Sequence, residues 1–462
     1  MRARVIRLRR PIAPLVHRRA ASTAFGRHPE LEHKPIHEDT EINTEAGKIP
    51  VLRSPCPLDI RPLDKFSNAE LLRGLLMHSV SASPPLTTTA SAVIMGLEKH
   101  LEKPSLSVVK TLIDSTFYNH YCLGDTAEQI SRTIDGLRQK GIAGVILSYA
   151  KEVTPAEATE STEFNDIQTW VKGNMRGIGH ARPGDYIALK LSGAGISALR
   201  LLKRPDSKLN EHQELERAVH ETCNAARNKG VRILIDAEQQ SLQSSVDSWV
   251  MELMAKYNKP SEMRDGTPLL SNTYQAYRIV CPDLLKEHLK IAKERGFVLG
   301  IKLVRGAYRS TEPYGIWGTK EATDNCYDGI LNHLLCGDSY AKEGGLYSVM
   351  IATHNRQSVE LAQNMIQVTR SGLGTRPANL TSVTFAQLQG MADELSMGLI
   401  KAAAKDGSQD APKVYKYAAF GTTRECIKYL MRRAQENVDA SARSKENRDA
   451  VLQEIKHRVI RD

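Results

Sequence analysis

Six short stretches each place a polar or charged side chain at the end of an apolar run: Lys190 in ALKLSG, Asp236 in ILIDAE, Gln275 in NTYQAY, Lys302 and Arg305 in GIKLVRGAY, His354 and Asn355 in IATHN, and Tyr417 in VYKYAAFG. Each run is strand-sized, so each polar group is expected at the C-terminal end of a strand. Taken singly, any of them is as well explained as a satisfied polar residue; together they point to one face. The most unusual stretch is Ile301–Tyr308, where Lys302 and Arg305 interrupt an apolar run and Gly306 and Ala307 follow, small enough to let a ligand reach the backbone. Buried cations require an anion, which implies a phosphate or a carboxylate. His354 could join a phosphate site. A Schiff-base lysine at Lys190 or Lys302 is the competing chemistry. It fits less well, because further cations and a Gln make a crowded anion site, not the apolar pocket that lowers a lysine's pKa.

A second candidate anion site lies in Thr423–Asn437, TRECIKYLMRRAQEN. At helical spacing its apolar face is Ile427, Leu430, Met431 and Ala434. Arg432 and Arg433 are adjacent; Glu436 lies four residues after Arg432, and Tyr429 four before Arg433. Paired arginines suit bidentate recognition of a carboxylate. The plainer reading is an exposed helix with one Glu–Arg pair. A phosphate-like site and a carboxylate clamp on one face suggest a small carboxylic acid beside a nucleotide cofactor. The residues alone do not name the reaction.

The elements that must carry these groups are legible. Eight strand-like runs are Gly144–Tyr149, Asp185–Leu191, Val231–Asp236, Leu269–Tyr277, Phe297–Val304, Tyr347–Thr353, Asn379–Phe385 and Lys413–Ala419. Amphipathic stretches such as Asn210–Lys229, Ser244–Tyr257, Pro282–Arg295 and Arg356–Thr369 separate them. Short apolar strands alternating with helices predict a parallel sheet, and eight repeats predict closure into a (β/α)8 TIM-type barrel of the α/β class. An open doubly wound sheet would carry a G-x-G-x-x-G turn after its first strand, and none is present. The barrel is expected over residues 106–440, preceded by an extended and helical arm over 30–105 and followed by a charged surface helix and tail over 441–462. Within the arm, Ser83-Pro84-Pro85 is expected to end a helix around Asn68–Val80. Residues 311–323 and 404–412 read as loop insertions.

The chain has 462 residues with a net charge of +10, but the first 25 residues hold seven arginines and no acid. Those seven account for most of the excess and leave +3 on the other 437 residues, which argues against nucleic-acid binding. An Arg-rich, acid-free start followed by Ala20-Ala21-Ser22-Thr23 is the composition of a mitochondrial transit peptide, expected over 1–29. Mean hydropathy is −0.37, and no run approaches the roughly 18 apolar residues of a membrane helix. Seven scattered cysteines without a C-x-x-C pair read as reduced packing thiols. The histidines form no H-E-x-x-H, so no metal is expected.

Five ordered motifs resemble the proline dehydrogenase family: Thr273-Tyr274-Gln275, Lys302–Tyr308 (KLVRGAY), Ala352-Thr353-His354-Asn355, Gln387–Asp393 (QLQGMAD) and Tyr429–Asn437 (YLMRRAQEN). The resemblance runs from about Leu106 to Val438. It implies a distorted barrel with FAD at the strand ends, oxidation of L-proline to 1-pyrroline-5-carboxylate, and electron transfer to ubiquinone by a peripheral enzyme on the matrix side of the inner mitochondrial membrane. It further implies that Lys190, Arg432 and Arg433 bind the substrate carboxylate, with Glu436 orienting the basic cluster and Tyr417 and Tyr429 walling the ring. Gln275 and Lys302 would lie beside the flavin ring, and Val304, Arg305, Gly306, Ala307, Thr353 and His354 would hold the rest of the cofactor. Asp236 and Lys302 are the groups implied to serve catalysis, Asp236 by organising the site and Lys302 by stabilising reduced flavin. Hydroxyproline dehydrogenases resemble the same family but carry a smaller residue in place of Tyr417. The stretch Tyr417–Gly421 departs from the family pattern in lacking a Pro near Ala419.

Overall fold

Eight strands close into a barrel in chain order: β1 (Gly144–Tyr149), β2 (Tyr186–Leu189), β3 (Arg232–Ile235), β4 (Leu270–Gln275), β5 (Leu299–Val304), β6 (Tyr347–Ala352), β7 (Leu380–Leu388) and β8 (Lys413–Phe420). Every neighbouring pair is parallel, and β8 closes on β1 with Ile146 opposite Tyr417. This computed structural model describes residues 61–97, 100, 103–149, 163–309, 312, 314–337, 344–406, 411–439 and 441–461, all within the compact unit Ala46–Asp462. Side chains at 163–165, 428, 432, 433, 435–439, 441–443 and 461 lie outside that description. So does the segment 1–29 expected as a transit peptide.

The α/β barrel expected from the sequence is the one observed, and its period-two code is clean. Val145, Leu147, Ile187, Leu189, Ile233, Ile235, Ile301, Leu303, Val349 and Ile351 share the large apolar layer under the surrounding helices. The alternate residues, Ile146, Tyr186, Ala188, Leu234, Met350, Ala386 and Tyr415, form a separate cluster inside the barrel. Strand β7 runs on to Leu388, beyond the expected Phe385.

The segments outside the repeat also pack. The helix Asn68–Ser81 opens with a capping box in which the Ser67 hydroxyl accepts from Glu70 N and the Glu70 carboxylate accepts from Ser67 N. Pro84-Pro85 ends that helix as expected, but it also begins a second one, Pro84–Leu97. A helix's first turn needs no N–H partner, so the same prolines that stop one helix are tolerated at the start of the next. The charged C-terminal segment is a 21-residue helix, Ser441–Arg461. It is tied to the first helix by Arg458, whose guanidinium donates to Asn68 Oδ1 at 2.7 Å. The buried Glu454 pairs with Arg61 at 2.6 Å.

Candidate functional site

Strand parity decides what reaches the barrel mouth. Continuing the inward rows past the interior cluster brings Lys190 from β2, Asp236 from β3, Gln275 from β4, Lys302 and Val304 from β5, His354 from β6 and Tyr417 from β8 to the same end of the barrel. At its centre the Asp236 carboxylate bridges two strands. One oxygen accepts from Lys302 Nζ at 2.7 Å and the other from the Tyr417 hydroxyl at 2.7 Å. The Lys302 ammonium also stands 5.2 Å from the centre of the Tyr417 ring. Burial pushes the Asp236 carboxyl up, but the Lys302 charge and the hydrogen bonds from Lys302 and Tyr417 outweigh it, so Asp236 is held below the ordinary carboxylate range. Burial, reinforced by the Asp236 charge, keeps the Tyr417 phenol protonated well above its usual value.

Lys302 and Arg305, two cations three residues apart in sequence, do not share an anion. Arg305 falls on the opposite parity and joins the helices around the barrel. Its Nε donates to Asp324 at 2.5 Å, Nη1 to Thr353 at 2.7 Å and Nη2 to Ser358 at 2.8 Å, with the guanidinium 4.3 Å from the Tyr327 ring centre. The anions that the buried Lys302 and the half-buried Arg305 require are therefore supplied by the chain itself, Asp236 for one and Asp324 for the other. Burial raises the Asp324 carboxyl, but bonds from Lys320 and Arg305 prevail and hold it low.

The turn after β5 is shaped by Gly306, with φ of +138°, where an added Cβ would stand 2.0 Å from the Tyr277 ring. Ala307 N donates to Gln275 Oε1 at 3.4 Å, a long bond that leaves the amide oxygen open to a second donor. His354 Nε2 accepts from Leu388 N at 3.0 Å, which assigns the ring proton to Nδ1.

The helix Thr423–Asp439 begins at a capping box, Thr422 with Glu425, and Tyr149 donates to the same Glu425 at 2.9 Å. It carries Cys426, Tyr429 and Leu430 into a buried cluster with Tyr118, Tyr121 and Met391, against which Tyr417 packs. Tyr429 and Tyr417 thus pack into one cluster. Arg432 and Arg433 follow one turn later on this helix with Glu436 beyond them; their side chains lie outside the described residues.

Two groups escaped the reading by motif. Glu238, two residues past Asp236, is buried and accepts from Ser192 N at 3.1 Å and from the Ser192 hydroxyl at 2.8 and 2.9 Å. Tyr308 donates to Ala237 O at 3.2 Å, and the Lys190 ammonium stands 5.9 Å from its ring centre. The acid in a strand-end stretch already singled out for Asp236 was the available signal for Glu238. Tyr308 closes the KLVRGAY stretch, but nothing in a sequence tells which way a loop tyrosine turns.

This barrel mouth has known counterparts. The family model described as proline dehydrogenase matches residues 130–446. The chain belongs to the proline dehydrogenase family. It is 28% identical to a probable mitochondrial proline dehydrogenase of Schizosaccharomyces pombe, over 75% of this chain and 80% of that one. It is equally 28% identical to a hydroxyproline dehydrogenase of Bos taurus, over 91% of this chain and 96% of that one. Among solved structures, proline utilization A from Bdellovibrio bacteriovorus shares the fold with a TM-score of 0.56 at 16% identity, covering 72% of this chain. This chain spans about a third of that protein's length, 34%. Membership makes the protein an oxidoreductase of proline catabolism and accounts for the eight-stranded barrel.

Proposed function

We propose that this protein oxidises L-proline to 1-pyrroline-5-carboxylate with FAD and passes the electrons to ubiquinone, as a peripheral enzyme on the matrix side of the inner mitochondrial membrane. The observation that carries the reading is the family match over residues 130–446, which includes every strand and every candidate residue of the barrel mouth. Relatives named mitochondrial proline dehydrogenases and the Arg-rich start support the compartment. Among the described residues no helix is long and apolar enough to cross a membrane.

The mouth suits the cofactor. It offers a buried ammonium at Lys302, an amide edge at Gln275, the imidazole of His354, and at Gly306 a backbone turn that lacks a Cβ. These donors match a flavin's polar ring edge and its phosphates. FAD held there would supply a hydride acceptor for the oxidation of the proline C–N bond.

The chain's residues do the positioning. Lys190, Arg432 and Arg433 hold the substrate carboxylate, and Glu436 orients that basic cluster. Tyr417 and Tyr429 wall the ring, fixing the reacting carbon. Gln275, Lys302, Val304, Gly306, Ala307, Thr353 and His354 line the cofactor. Arg305, whose fork is spent on Asp324, Thr353 and Ser358, acts by bracing Gly306 and Thr353; a direct bond to phosphate would require one of these partners to yield. Asp236, held as a carboxylate between a lysine and a phenol, orders the site and is a poor proton acceptor. The substrate amine must therefore enter neutral or lose its proton to water.

Because the Tyr417 hydroxyl is committed to Asp236, a hydroxyl on the substrate ring would meet a phenol already in use. That favours proline over hydroxyproline. The test is a visible spectrum of the purified full chain before and after anaerobic L-proline. A flavin spectrum that bleaches with proline, and much less with hydroxyproline, is expected. A protein that stays colourless after FAD is added, or a flavin that proline does not bleach, would overturn the reading.

A further inference from the structure

Three consecutive residues after β3 touch the candidate groups of four other strands. Asp236 holds Lys302 of β5 and Tyr417 of β8, and Ala237 O accepts from Tyr308 at 3.2 Å. Glu238 holds Ser192 through its side chain, and its backbone carbonyl accepts from Gln275 Nε2 of β4 at 3.2 Å. The segment is itself locked, since Asp236 N donates to Leu189 O at 2.9 Å and Glu238 N to Gln243 Oε1 at 2.7 Å. Of the three, only Glu238 has a side chain without a role so far, and it is a carboxylate just 4% exposed.

Its partner explains what it is placed to do. Ser192 lies two residues beyond Lys190, in the single turn Leu191–Ala194 that Lys190 caps. Other bonds at that turn run from Trp170 Nε1 and Gly193 N to Lys190 O at 3.0 and 3.2 Å and from Gly195 N to Ser192 O at 3.3 Å. The Glu238 carboxylate takes both donors of Ser192, the backbone N–H and the hydroxyl, and so fixes the direction in which the chain leaves β2. We propose that Glu238 is a positioning residue for Lys190: by clamping Ser192 it sets where the Lys190 ammonium stands, and hence the affinity of the site for a substrate carboxylate. Burial holds the Glu238 carboxyl above its ordinary range, with the nearby Lys190 charge and the Ser192 bonds only partly offsetting it.

The inference rests on the assignment of Lys190 to the substrate carboxylate, and the experiment separates the two. Holoenzyme with Glu238→Ala, Glu238→Gln or Lys190→Met, and the two double variants, is titrated calorimetrically with tetrahydrofuran-2-carboxylate. This ring carboxylate has oxygen in place of nitrogen and cannot be oxidised at a C–NH bond. Glu238→Ala should weaken binding about tenfold and raise the proline KM by a similar factor, with kcat falling less than about threefold. Glu238→Gln, whose amide oxygen can still accept from Ser192 N, should recover most of that affinity. In the Lys190→Met background the Ala change should have almost no further effect, because the residue it acts through is gone. Equal weakening in both backgrounds, or a Gln variant as impaired as the Ala variant, would overturn the proposal. Flavin content and bleaching by proline in the wild type report separately on the proposed function, so failure of one is not mistaken for failure of the other.

Discussion

Replacing Asp236 with alanine strands two partners at once. Lys302 Nζ and the Tyr417 hydroxyl each lose a 2.7 Å bond, and the Lys302 side chain is only 9% exposed, so water cannot take over the role of the carboxylate. Two unit charges 2.7 Å apart attract by about 6 kcal/mol at an effective dielectric constant of about 20. Much of that offsets the desolvation of both ions. What the single variant exposes is the residual cost of a buried, unpaired ammonium, about 3–5 kcal/mol. Urea denaturation at pH 7 should therefore show unfolding free energy reduced by about that amount. The double variant Asp236→Ala/Lys302→Met removes both charges and should recover roughly 2 kcal/mol of the loss. The pH dependence has a definite sign. Asp236 is depressed below its ordinary 3.8 in the folded state, so its contribution is complete above about pH 4 and is lost as pH falls through the lower folded value. The gap between wild type and Asp236→Ala should stay flat from pH 7 to about 4 and close below that. A single-variant loss under about 1 kcal/mol, or a double variant losing the sum of the two single losses, would refute this account of the pair.

Glu394, 6% exposed, is pushed by burial up to about 7 from 4.5, with Arg356 opposing from 3.8 Å. Because the folded protein binds this proton more tightly, stability falls as pH rises from 4.5 to 7. Glu394→Gln should equal wild type near pH 4.5 and exceed it by roughly 3 kcal/mol at pH 8, checked by denaturation at both. Gly306→Ala forces a Cβ into a left-handed φ of +138° and against the Tyr277 ring. It should cost at least about 2 kcal/mol and lower flavin retention, measured by denaturation and absorbance. Arg432→Ala and Arg433→Ala should each raise the proline KM at least about tenfold with flavin retained; unchanged proline kinetics in both would remove the clamp from the proposed site.

The sequence by itself determined the architecture, because a parallel barrel is written in local terms. β-Branched runs of four to nine residues, buried on both sides, alternate with amphipathic helices, and eight such units have one economical closure. It also marked which strand ends bring polar groups to one end of the barrel, since a polar group after an apolar run is visible in one dimension. Partnership was not visible. Lys302 and Arg305 read as two cations for one anion, yet three residues of strand reverse the direction of the side chain, sending one into the mouth and the other out to Asp324. Pro84-Pro85 read as a stop and also served as a start, because what a proline does depends on which helix end it occupies. Glu238 went unmarked because its meaning lies 46 residues away at Ser192, a contact that exists only once β2 and β3 lie side by side. Sequence supplies the type and parity of each side chain. Only the closed barrel decides which charges meet, because a buried ion's partner is chosen by distance in space.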